Sequence, residues 1–247
     1  MKLILTFEGK DETMKLSLHH NHYIQAAIYQ LLDPVYATFL HQEGYIFNNR
    51  QFRLFSFSRL MGNYSVDSKA GVISYTGPVK LVVLSPIQNI SEEIVNSLIR
   101  GKEFRIGTQQ LSCVAVQAEY PSVTSREIKV RTLSPIVSYS TMLRPDGRKF
   151  TYYYEPAETE FVRLVCENLF KKYRAWELNP EIAEADFDFT IEPLGRYRRR
   201  ILKYKDIIIK GYSGNYLLRG KEEYLNYALN VGLGAKGPQG FGVIELV

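Results

Sequence analysis

The chain contains only four histidines, His19, His20, His22 and His41, all in the first fifth of 247 residues. Any imidazole chemistry therefore belongs there. Histidine changes charge near neutrality and can hand a proton to a leaving alkoxide, so His41 is a candidate general acid. Tyr29 is its candidate partner if a helix–turn–helix brings the two together. A phenol is a weak base unless a neighbour draws off its proton. Taken alone, a histidine placed like His41 is more often a capping or surface residue. His19, His20 and His22 lack the carboxylate spacing of a metal cage and read as a polar turn. No GxSxG is present for a serine hydrolase. Cys113 and Cys166 flank neither a CxxC nor a histidine pair. They predict neither a disulfide nor a zinc site, and read as two small buried hydrophobes.

Two further stretches carry chemistry of a different kind. Between Arg196 and Lys210 seven bases (Arg196, Arg198, Arg199, Arg200, Lys203, Lys205 and Lys210) stand against one acid, Asp206, with Tyr197 and Tyr204 interleaved. Cations neutralise phosphates and aromatic faces stack on unpaired bases, so the segment points to nucleic acid. The plainer reading is a solvated strand. Near the C-terminus, Gly232, Gly234 and Gly237 match the letters of a dinucleotide-binding motif. That motif must follow a strand and open a helix, with an acid about 20 residues on. Here a predicted helix precedes it, and only ten residues follow Gly237. The expectation is instead a flexible loop, with Gly240 and Lys236, whose backbone can approach a ligand and offer N–H groups to phosphate.

The elements that must position these residues follow from spacing. A strand over 2–8 opens the chain; Asn21 is placed to cap a helix over 22–32, with Ile24, Ala27, Ile28 and Leu31 on one face and His22, Gln25 and Tyr29 on another. Asp33-Pro34 starts a second short helix ending near His41 and Gly44. Strands are expected at 52–59, 71–76 and 79–84, a helix at 91–100, and strands at 103–107 and 110–119. After a break near 120–125 come a strand at 127–132, a hairpin of 136–143 with 149–154 turning at Asp146-Gly147, and a helix at 157–173. Strands at 186–192, 197–210 and 213–218, a helix at 221–230 and a closing strand complete the chain. This is an α+β protein of two tandem ferredoxin-like β-α-β-β-α-β units, 1–120 and 125–247. The net charge is +5, the hydrophobic share 45%, and no apolar run approaches a membrane span. The apolar stretch at the N-terminus is too short for a signal peptide, so a cytoplasmic protein is expected.

At these residues the sequence resembles the CRISPR-associated endoribonucleases that cut the repeat RNA of precursor crRNA, the Cas-six family of RAMP-type proteins. The tail GLGAKGPQGFGVIELV resembles the family's glycine-rich signature. Asn21-His22-Tyr23 leading to Ile28-Tyr29, Phe39-Leu40-His41, Leu54 to Ser58 and Thr132 to Ile136 resemble it in order and spacing. The resemblance implies cleavage without metal or cofactor, by attack of a ribose 2′-OH on the adjacent phosphate, leaving a 2′,3′-cyclic phosphate and a 5′-OH. Tyr29 would accept a proton, His41 donate one, and Arg53 stabilise the phosphorane where the family usually has lysine. Arg50 is an alternative for that third place. Arg196, Arg198, Arg199, Arg200, Lys203, Lys205, Gly232, Gly234, Lys236, Gly237 and Gly240 would bind the RNA. Other effector subunits or a second copy of the chain are further expected partners. The competing reading is a non-catalytic RAMP-type crRNA-binding subunit.

Overall fold

A computed structural model describes residues 1–176 and 182–247. The first half runs β1 (Lys2–Gly9), β2 (Thr13–Ser17), α1 (Asn21–Leu31), α2 (Pro34–Gln42), β3 (Tyr45–Phe47), β4 (Arg50–Phe52), β5 (Ser56–Phe57), β6 (Met61–Asp67), β7 (Val72–Leu84), α3 (Gln88–Ile99), β8 (Phe104–Ile106) and β9 (Gln109–Glu119). The second half runs β10 (Glu127–Thr132), β11 (Tyr139–Leu143), β12 (Lys149–Tyr153), α4 (Thr159–Trp176), β13 (Phe189–Tyr204), β14 (Ile207–Gly220), α5 (Glu222–Val231) and β15 (Ile244–Leu246).

In the first sheet β7 lies between β1–β2 on one edge and β5–β6 on the other, and β9 pairs with the far edge of β1. In the second the order is β13-β14-β10-β15. Numbering the core strands within each half gives 2-3-1-4 in both, the ferredoxin-like order. Alternation buries Leu3, Leu5 and Phe7 of β1 and Ile128 and Val130 of β10, while helical spacing buries Ile24, Ile28 and Leu31 of α1 and Phe161, Val165 and Leu169 of α4. Each sheet thus has its own apolar core under its helices.

Several expected boundaries move, for local reasons. The predicted strand over 52–59 is broken at Leu54, whose φ is +49°. Leu54 is buried in the second core, whereas Phe55 and Phe57 are buried in the first. The chain crosses between cores there and cannot stay extended. The predicted strands 71–76 and 79–84 are one strand, β7, running through Gly77-Pro78. The predicted strands 197–210 and 213–218 are redrawn as the long hairpin β13–β14. Gly195 (φ +71°) bulges rather than ending β13, and the turn falls at Lys205 (φ +51°) and Asp206. The strands β2, β3 and β6 have no counterpart among the expected elements. Asn21 does not cap α1: His20 occupies the cap position, and the Asn21 side chain donates to the Gln239 carbonyl at 2.9 Å. Asp33 does cap α2, accepting from the Val35 and Tyr36 amides at 2.9 and 3.2 Å. Cys113 and Cys166 are free and only half-buried, and burial pushes the Cys166 thiol up to about 12.

Candidate active site

Two insertions into the ferredoxin-like pattern, α2 with the β3–β4 hairpin and the β11–β12 hairpin, flank a cleft of about 950 Å³ between the domains. That is the upper end of ordinary ligand sites, roughly 300–1,000 Å³. The Asp33 cap and Pro34 start α2 so that its last turn carries His41 to the cleft. Tyr29, near the end of α1, meets His41 edge-on with ring centroids 6.2 Å apart and rests on Phe55 at 5.7 Å. Arg53 follows β4, and its Nη2 donates to the His41 carbonyl at 2.6 Å. Burial pushes the Tyr29 phenol up, and the Arg53 guanidinium beside it works in the opposite direction. Tyr29, His41 and Arg53 therefore come together from three elements.

Among the described residues five cations line this cleft, Arg50, Arg53, Lys172, Lys205 and Lys236, and the one carboxylate in its wall, Glu167, is taken up by Arg163 at 2.9 Å and by Lys171. Aromatic rings stand among the cations; the Lys236 ammonium lies 5.0 Å from the centre of the Tyr139 ring. Such a surface suits an anionic chain with stackable bases. Lys172, Tyr139, Asn168 and Gln239 also line it and were not singled out from sequence. Lys172 had a visible signal: it continues the stripe Phe161, Val165, Leu169 on the buried face of α4, where lysine is out of place.

Of the basic segment, only Lys205, beside Tyr204, reaches the cleft. Arg196, Arg198, Arg199, Arg200 and Lys203 lie along β13 outside it, and among the described residues none pairs with a carboxylate. The tail is packed rather than free. Gly232, Gly234, Gly237 and Gly240 are buried, and a Cβ on Gly232 or Gly234 would come within 2.7 Å of Gly242 O or 2.6 Å of Val137 O. Their close approach is to protein, while Lys236 and the edge of Gly237 face the cleft. Ser56 Oγ donates to Val231 O at 3.0 Å, and Ser134 Oγ to Phe57 O at 3.2 Å, so the tail's surroundings are tied to β5 as well.

Among the described residues no group of three or more His, Cys, Asp or Glu side chains could hold a metal ion. His20 Nδ1 lies 2.7 Å from the Ser17 carbonyl, and His22 packs on Tyr23 and, edge-on at 6.2 Å, on Tyr204 of the second half. No helix among the described residues is long and apolar enough to cross a membrane.

The family described as CRISPR associated protein Cas6, C-terminal, matches residues 118–246, more than half of the chain. The chain belongs to the Cas6 family. The family described as CRISPR-associated protein Cas6, N-terminal, matches residues 15–117. The chain is 26% identical to CRISPR-associated endoribonuclease Cas6 1 of Methanocaldococcus jannaschii, over 99% of this chain and 92% of that one. A solved CRISPR associated protein Cas6 superposes with a TM-score of 0.80 at 25% identity, over 100% of this chain and 99% of that one. The product of a Cas6-related gene from Pyrococcus furiosus superposes with a TM-score of 0.85 at 19% identity, over 100% and 98%. This last likeness concerns the fold alone.

Proposed function

We propose that this Cas6 chain is an endoribonuclease that cuts CRISPR repeat RNA in precursor transcripts to release crRNA. The observation that carries this reading is the convergence of Tyr29, His41 and Arg53 in one basic cleft between the domains. The M. jannaschii relative's description as a CRISPR-associated endoribonuclease supports it.

In the proposed reaction the 2′-oxygen at the cut site forms a bond to phosphorus while the bond to the 5′-oxygen breaks. Tyr29 takes the proton of the 2′-hydroxyl as a phenolate, held by the Arg53 charge beside it, and becomes the neutral phenol. Its raised pKa makes a standing phenolate unfavourable, so the Arg53 charge beside it matters to this step. His41, as imidazolium, gives its proton to the departing 5′-oxygen. Arg53 forks the equatorial oxygens of the phosphorane, a role for which its planar guanidinium is fitted and in which it moves no proton. The products are a 2′,3′-cyclic phosphate and a 5′-hydroxyl. Attack by the 2′-oxygen restricts cutting to RNA. On this reading the first domain, 1–120, brings the acid–base pair, and the second, 125–247, brings β13 and Lys236. The reaction belongs to the cytoplasm, where transcripts are made. Other effector subunits and a second copy of the chain are further partners, checked by co-purification and by mass in solution.

The test is cleavage of the host's repeat RNA in excess EDTA, beside the same RNA with 2′-deoxyribose at the cut site. Cutting of the first and not of the second is expected. Loss of activity on chelation would make this a metal nuclease. Tight binding with no cutting of either would make it a non-catalytic crRNA-binding subunit.

A further inference from the structure

Lys172 is an odd residue for the place it occupies. It lies on α4 with 7% of its surface exposed, against the cleft wall. Its Nζ donates to the carbonyls of Gly234 at 2.9 Å and Gly232 at 3.3 Å. Carbonyls offer only partial charge. Among the described residues no carboxylate pairs with it, and a buried ammonium without a counter-ion is costly. Its surroundings add none. On its own helix, Glu167 is engaged by Lys171 and Arg163. From the tail comes Lys236, from the end of β13 Tyr204 and from the turn after it Lys205, from β11 Tyr139, and from the first domain Tyr29, His41, Arg50 and Arg53. Among the described residues every unengaged formal charge facing the cleft is positive.

We propose that Lys172 is a proton-linked positioning residue: it ties the glycine tail to α4 and takes its counter-charge from RNA phosphates in the cleft, so that RNA binding draws a proton onto it. This rests on the cleft being the RNA site of the proposed function. In the free protein burial lowers the Lys172 ammonium to about 7. An adjacent phosphodiester favours the charged form and raises it again. Below about pH 7 the ammonium is present both free and bound, and binding takes up no proton. Above that, the complex holds more protons than the separate partners. Affinity therefore falls as pH rises, by at most about tenfold per pH unit for one proton.

The experiment is calorimetric binding of the host's repeat RNA, made uncuttable by 2′-deoxyribose at the cut site. Titrations at pH 8 in buffers of differing ionisation enthalpy count the protons. Uptake approaching about one proton is expected for the natural chain and for His41→Ala. Lys172→Met should abolish the uptake and flatten the pH dependence of affinity between pH 7 and 9. Tight binding by the natural chain without proton uptake would overturn the proposal and leave the RNA site standing. So would uptake that survives in Lys172→Met and disappears in Lys236→Met. No binding at any pH would overturn both the RNA site and this proposal. The natural chain alone decides the first point, so the test does not depend on the folding of a variant.

Discussion

His41 is exposed at the end of α2, and its carbonyl holds Arg53 while its ring faces Tyr29. Its side chain supports little packing, so its removal separates chemistry from folding. His41→Ala should keep repeat-RNA affinity within a few-fold and slow cleavage by roughly 10²–10⁴-fold, the usual weight of a general acid. Single-turnover cleavage beside a binding titration checks this; cutting at the original rate would remove His41 from the reaction. The pair was legible in sequence because Asp33-Pro34 and the apolar spacing of α1 fix two helices joined by a short turn. Arg50, Lys205 and Lys236 are also candidates from sequence, whereas Lys172 is not, and only the tertiary fold brings the four, scattered through the chain, to one wall. A run of like charges is easy to see in sequence, whereas charges assembled from four elements leave no local pattern.

At the scale of elements, the glycine tail acts as a spacer-free insert between β5 and α1. Gly240 has φ +88°, and a Cβ there would sit 2.5 Å from Asn21 Nδ2 and 2.6 Å from the buried Phe57 ring. Gly240→Ala combines a left-handed backbone with a clash against a ring that has nowhere to go. It should cost at least about 1–3 kcal/mol and lower Tm by at least about 3 °C. A thermal melt tests it; an unchanged Tm would mean that the tail is not set as described. The glycines stood out in sequence, but as a loop open to a ligand. What sequence did not carry was the partner surface, since glycine's lack of a side chain serves a bound phosphate and a neighbouring strand equally well. The β13–β14 hairpin was misread for a related reason. Gly195 and Gly211 look like breaks, while the real turn, Lys205-Asp206, has no glycine or proline.

At the scale of the whole molecule, the modest +5 resolves into two basic regions. One is the cleft, and the other is the row Arg196, Arg198, Arg199, Arg200 and Lys203 on β13, joined to it through Lys205 at the turn. RNA leaving the cleft along this row would release counterions without touching the reaction. Arg198, Arg199 and Arg200 changed together to Ala should weaken binding. They should also lessen the slope of log affinity against log salt by about 2, at roughly 0.7 per phosphate contact on a single strand. The rate of cutting at saturating protein should hold. An unchanged salt slope would show that the RNA takes another path.

The two halves are also hooked through each other. Leu54 of the first half is buried in the second core, and the second half's tail lies against Phe55, Ser56, Phe57 and Asn21 of the first. Each half thus keeps part of its interior in the other's sequence. A chimera that takes one half from a relative must bring the matching hook along with it. Residues 52–58 and 232–242 would have to be exchanged as a set, together with the Asn21, Ser134, Val137 and Lys172 that contact them.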